Sequence, residues 1–202
     1  MTDKELKFNP ENHQYSVGNT IFPSITQILK AEGFIDSRWY NEEAMNKGTI
    51  VHLILHQFDS GILIEDEVDK QYVPYLESYK AFLSDTKKIL LNSELPMFHE
   101  YMGYAGTPDK VFNYEDIYEM SVVEIKTGQP ASWHQLQTAA QEILVRASYS
   151  ANENEHIRLK RHALYLSNKG KYKVITHNDR SDHAIWKSAV SIHNWKRNKQ
   201  GG

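Results

Sequence analysis

The chain has 202 residues and a mass of 23.5 kDa, with 40% hydrophobic, 24% charged and 11% aromatic residues; this fills one domain or two small ones and excludes a disordered tail protein. It contains no cysteine, so disulfides, thiolate zinc sites, iron–sulfur clusters and a cysteine nucleophile are excluded, and any metal must rest on oxygen or imidazole. A net charge of −3 and a pI near 6.4 argue against a general basic coat but leave room for a local basic patch. No apolar run reaches the roughly 18 residues of a membrane helix, and the opening MTDKELKFNP carries no secretory signal, so a soluble cytoplasmic protein without membrane contact is expected.

Along the chain, Phe8, Tyr15, Val17, Ile21 and Phe22 alternate with polar residues around Gly18-Asn19, the pattern of a small hairpin. Pro23-Ser24 opens a helix that Gly33 closes, with Ser24 as its N-cap. Apolar spacings of three and four predict longer helices over 37–59 and 68–91 around a turn region at 61–67, so the first half reads as largely helical. From Pro96 the apolar residues fall in short runs, Met97-Phe98, Val111-Phe112 and Val122-Val123 with Ile125, which predict an antiparallel meander of three strands. Helical spacing returns over 133–149, strands at 163–167 and 172–177 flank the turn Asn168-Lys169-Gly170-Lys171, and an amphipathic helix covers 182–197. This order predicts an α/β fold, a mixed central sheet flanked by helices. It is expected as a single domain over 1–202, with an N-terminal hairpin and helical part over 1–92 and a catalytic core over 93–202.

Glu124 and Lys126 stand two apart on a strand, so they leave the same face, among valines and an isoleucine where burial normally excludes charge. Asp109, after Gly106-Thr107-Pro108, sits where a neighbouring pairing brings its carboxylate beside Glu124. Two carboxylates and an ammonium in one dent suit a divalent ion with oxygen ligands. Taken alone, the triplet also reads as a solvated ion pair on a half-exposed strand, with Asp109 a turn residue.

With Pro108-Asp109 and Glu124-Ile125-Lys126 the chain resembles the PD-(D/E)XK nuclease superfamily. Gly48-Thr49-Ile50-Val51-His52 is similar to the G-x-x-x-H motif of RecB-like nucleases, and Gln135-Leu136-Gln137 to their glutamine motif. The spacing from Glu94 to Asp109, with HQYSV, FPSITQIL and Trp39, resembles mitochondrial genome-maintenance exonucleases and their phage relatives; the likeness runs over about 13–149. Two departures stand out. RecB-like helices usually carry a tyrosine four residues after the glutamine, where this chain has Gln141, and the four cysteines of cluster-bearing relatives are missing.

The resemblance implies a restriction-endonuclease-like core and a metal-dependent DNA exonuclease. In it Asp109 and Glu124 hold Mg2+ or Mn2+, assisted by the Ile125 carbonyl and by Glu94. Lys126 orients or deprotonates the attacking water, and Gln137 contacts the nucleic-acid backbone or braces Lys126. His52 is implied as a further ligand, with His56 one turn later as the alternative; Leu53 lies where a zinc protease would need its glutamate, so that reading is discarded. Glu100 competes with Glu94, and the spacing to Asp109 favours Glu94. Trp39, Trp133 and His134 are base-stacking or core residues. The groups Arg158, Lys160, Arg161 and Lys196, Arg197, Lys199 steer phosphates or form a solvated face. The implied partner is DNA, single-stranded or at duplex ends, alongside a second copy or a recombination protein. The implied setting is phage or bacterial recombination, repair or genome processing, in the host cytoplasm if phage-encoded. A structure-specific endonuclease, or an inactive nucleic-acid-binding or inhibitor module, is the alternative.

Overall fold

The structure is a computed structural model that describes residues 5–36, 41–113, 119–149 and 158–200. The chain opens with an antiparallel meander, β1 (Leu6–Asn9), β2 (Gln14–Val17) and β3 (Thr20–Phe22), in which Tyr15 faces both Phe8 and Phe22 across the strands. The expected hairpin is its β2–β3 half, and Gly18 turns the chain at φ 56°. Ser24 then caps α1 (Ile25–Ala31): its hydroxyl accepts from Gln27 N–H while the Gln27 side chain accepts from Ser24 N–H, a reciprocal capping box.

Helix α2 (Glu42–Asp59) starts at Asn41, whose side chain accepts from the N–H groups of Glu43 and Ala44. The expected start of this helix at 37, and Trp39 with it, lie outside the described residues. After a single 3-10 turn at Glu65–Glu67 comes α3 (Val73–Thr86), with a proline in its first turn. The helix expected over 68–91 is thus shorter at both ends. Lys87 takes a left-handed conformation that stops it, and Ile89–Ser93 forms β4. Ile89-Leu90-Leu91 fits either period, and pairing with a core strand decides it. The N-terminal half is therefore mixed, not largely helical, and β4 spans the division expected at 92/93.

The expected three-strand meander is four strands in two sheets. β5 (Met97–His99) and β6 (Tyr104–Gly106) form a separate two-stranded sheet, whereas β7 (Lys110–Asn113) and β8 (Glu119–Lys126) join the main sheet. Helix α4 (Trp133–Tyr149) then crosses over to β9 (Arg158–Leu166), which pairs parallel to β8; β10 (Tyr172–Thr176) and α5 (Ser181–Gln200) follow. The five-stranded sheet runs β10-β9-β8-β7-β4, antiparallel apart from β8–β9.

Helices cover both faces, as expected. On one, Met120 and Val122 pack against Leu136, Ala140 and Leu144 of α4 and Trp186 of α5. On the other, Phe112, Val123, Ile125 and Leu164 meet Val51 and Leu55 of α2 and Tyr79 and Phe82 of α3. The period of two along β8 sends alternate residues into these cores, so a charge on it must be compensated locally. The N-terminal meander docks on β5–β6 through Tyr15, Phe22 and Ala105. There Gly106 lets the backbone approach α1, since a Cβ would stand 2.6 Å from Ile25 Cδ1. No helix among the described residues is long and apolar enough to cross a membrane.

Candidate active site

The pairing of Lys110 with Val123, continued by one residue, sets Asp109 opposite Glu124 on the face of the sheet that α4 covers. Both carboxylates are buried, and the Ile125 N–H donates to Asp109 Oδ2 at 2.6 Å. Lys126 lies two residues further along β8; its Nζ donates to Glu124 Oε1 at 2.7 Å and to Gln137 Oε1 at 3.0 Å, and sits 5.2 Å from the centre of the Trp133 ring. Gln137 also donates through Nε2 to Glu124 Oε1 at 2.6 Å, so one buried carboxamide bridges the acid and the base. One turn on, Gln141 donates to Glu124 Oε2. Its position in the sequence marked only a departure from the family pattern; the i, i+4 spacing on α4 aims it at the same carboxylate as Gln137.

Two further groups complete the arrangement. His52 projects from α2 with Nδ1 3.2 Å from Glu94 Oε1 and 3.5 Å from Asp109 Oδ1. Glu94 follows β4 with φ 54°, a left-handed conformation that costs a non-glycine residue about 1–3 kcal/mol. Its N–H donates to the Asp109 carbonyl at 2.9 Å, which ties the two acidic residues together. One ligand atom each from His52, Glu94 and Asp109 lies within 4.8 Å of the others. His56 faces elsewhere, its Nδ1 3.1 Å from Ser93 Oγ, and Glu100 is exposed beside a separate groove. Ile125 meets the cluster through its N–H, while its side chain enters the opposite core. The carboxylates face a cavity of about 450 Å³ whose rim includes Tyr15, Thr26, Thr49 and Gly106.

Burial and the neighbouring charge of Glu124 push the Asp109 carboxyl well above the usual range. Glu124 moves the other way: burial alone would raise it, but the Lys126 ammonium and the hydrogen bonds from Lys126 and Gln141 outweigh burial and lower it. Burial would likewise depress His52, yet Asp109 and Glu94 raise it to about 9. The cluster thus gathers three carboxylates around a few protons and one ammonium, a donor set of oxygens and one imidazole that favours a hard or borderline cation. The residues present therefore fit a divalent ion.

Other expected positions resolve differently. Trp133 lies under the Lys126 ammonium, and His134 is buried with Nδ1 2.7 Å from Tyr165 Oη, so neither stands as an open stacking platform. Burial lowers His134 to about 3. Arg161 is buried and donates to Asp182 at 3.1 Å, Lys160 pairs with Glu119 and Lys196 with Glu32, so three of the six basic residues noted in the sequence are tied into ion pairs within the fold.

A second charged cluster was not legible in the sequence. Lys110 is wholly buried, with Nζ 2.6 Å from Asp59 Oδ2 and 2.7 Å from Ser93 Oγ, and the Tyr79 hydroxyl donates to Asp59 at 3.0 Å. Strand parity is the signal that separates it from Asp109, since adjacent residues leave opposite faces.

No family model matches the chain, and no curated protein does. Among solved structures, an assigned exonuclease from Eubacterium rectale aligns with 86% of this chain and 72% of its own at 11% identity and a TM-score of 0.51. LHK-Exo in complex with dAMP aligns over 89% of each chain at 14% identity and a TM-score of 0.42. The alkaline exonuclease LHK-Exo from Laribacter hongkongensis aligns over 80% of this chain and 84% of its own at 15% identity and a TM-score of 0.38. The first of these likenesses bears on the fold alone: the chain shares with that protein an α/β fold built on a mixed sheet flanked by helices.

Proposed function

We propose that the protein is a metal-dependent deoxyribonuclease that hydrolyses phosphodiester bonds from DNA ends. The observation that carries this reading is the Asp109–Glu124–Lys126 constellation: two buried carboxylates face the same cavity as His52 and Glu94, and the Lys126 ammonium donates to one of them, Glu124. In this reading His52, Glu94 and Asp109 hold Mg2+ or Mn2+, with Glu124 and the Ile125 carbonyl adjoining them. A bound divalent ion supplies a lowered water pKa and charge compensation on the phosphoryl oxygens. Lys126, held by Glu124 and Gln137, orients the attacking water and stabilises developing negative charge. Gln137 and Gln141 donate to Glu124 and so fix the carboxylate that holds the Lys126 ammonium.

The meander, α1 and α2 form one wall of the cavity, and the sheet with α4 forms the other. A strand threaded between such walls meets the acids end-first, and phosphate contacts carry no base information, so cutting needs a free end and little sequence. The same reading places the protein in the cytoplasm, in phage or bacterial recombination, repair or genome processing.

A time course on end-labelled single- and double-stranded DNA, linear and circular, with Mg2+, Mn2+ or chelator, tests it. The expected result is chelator-sensitive loss of linear DNA with survival of closed single-stranded circles, and no cutting by Lys126→Ala. Rapid cutting of circles makes the protein an endonuclease, and inertness toward every form makes it a binding or inhibitor module.

A further inference from the structure

We infer that a second cavity, lying against the end of β8, binds the phosphodiester backbone of the DNA strand whose end occupies the acidic site. It has a volume of about 430 Å³, and its lining includes Lys47 of α2, Thr127 after β8, and Lys171 and Lys173 at β10. No carboxylate lines it, although the chain as a whole carries a net charge of −3. Lys47, Lys171 and Lys173 make no ion pair among the described residues. They differ in this from Lys80, Lys110, Lys160 and Lys196, each of which reaches a carboxylate. Three uncompensated ammonium groups around one concavity constitute a site for a polyanion.

Its place in the fold selects the polyanion. Lys47 precedes Gly48, which lines the acidic cavity, and Thr127 follows Lys126. The ideal Cβ position of Gly48 lies 3.7 Å from Thr127 Oγ1, so the first turns of α2 touch the end of β8 where the two cavities adjoin. A substrate whose scissile phosphate reaches Lys126 has its neighbouring phosphates beside this contact. The basic cavity adds attraction for phosphates next to a site whose own carboxylates supply none.

This rests on the nuclease reading, and the test separates the two. The triple variant Lys47→Gln, Lys171→Gln, Lys173→Gln keeps the side-chain stems, and Lys30→Gln, Lys70→Gln, Lys187→Gln serves as a control of equal charge. Binding of a short fluorescent single strand, followed by anisotropy across a salt series, needs no catalysis. Loss of three phosphate contacts should flatten the slope of log K against log[salt] by about 2, from roughly 0.7 per contact. The control should keep the wild-type slope. In steady-state cleavage the triple variant should raise KM for a linear oligonucleotide about tenfold or more. Hydrolysis of thymidine 5′-(p-nitrophenyl phosphate), too small to span both cavities, should be unchanged. Wild-type slope and KM in the triple variant, with unchanged melting, overturn the inference. Failure of the wild type to hydrolyse either substrate overturns the nuclease reading, and the anisotropy series still decides whether the lysines bind DNA.

Discussion

Two lysines on opposite faces of the same sheet are used in opposite ways. Lys110 is fully enclosed, and its surroundings balance: one ammonium, one carboxylate from Asp59, with Ser93 and Tyr79 filling the remaining hydrogen bonds. Lys126 pairs with Glu124, which shares a cavity with Glu94 and Asp109, so that acids outnumber ammonium groups there. A closed, balanced cluster fastens α2, α3, β4 and β7 to one another. An open cluster with a surplus of carboxylates pushes Asp109 and His52 toward their protonated forms, protons that a bound cation would replace, and such arrangements mark chemistry. The two are also connected: Lys110 neighbours Asp109, Ser93 neighbours Glu94, and Asp59 lies on the helix that carries His52, so the balanced cluster aligns the elements that bear the surplus one.

Methionine at each lysine breaks the comparison most sharply. Lys110→Met leaves Asp59 buried without its partner and should cost about 3–5 kcal/mol in denaturant unfolding. Asp59→Asn added to it should recover most of that loss, because no charge then remains buried. Lys126→Met should lower DNA cleavage by roughly 10²–10³-fold and cost less stability than Lys110→Met, because Gln137 and Gln141 still donate to Glu124. If the two substitutions exchange these effects, the assignment of one cluster to structure and the other to chemistry is wrong.

A smaller effect sharpens the role of His52. Imidazole is a softer ligand than carboxylate oxygen, so His52→Ala should lower activity several-fold more in Mn2+ than in Mg2+. Equal loss in both metals together with a large fall in melting temperature would make it a core histidine.

The smallest effect concerns His162, on the balanced side of the molecule. Burial, with Lys88, Lys160 and His177 nearby, lowers it to about 4, against 6.5 in the unfolded chain. A group whose folded value is depressed binds protons preferentially when unfolded, so its contribution is present above pH 6.5 and is lost as the pH falls toward 4. His162→Gln should therefore flatten the stability profile over that window by about 1–3 kcal/mol. A profile parallel to wild type would remove His162 from the account.

How far the sequence reveals this arrangement depends on the range of the contacts involved. Ser24 with Gln27, and Glu124 with Lys126, are legible because capping and strand parity are local rules. Asp109 beside Glu124 needed one assumption of neighbouring strands, and the structure meets it. Gln141 and Lys110 were missed because their partners come from packing α4 and α2 onto the sheet. The ion pairs of Arg161 and Lys196 are not legible in the sequence for the same reason, since Asp182 and Glu32 are distant along it. Ile89–Ser93 shows the limit of periodicity itself, a short apolar run that the partner strand makes a strand.

The central claim is that the open cluster holds a divalent cation, and calorimetric titration with Mn2+ tests it most directly. The wild type should show saturable binding, Asp109→Asn should lose it with little change in melting temperature, and Asp59→Asn combined with Lys110→Met should retain it. Identical isotherms for wild type and Asp109→Asn would contradict the account.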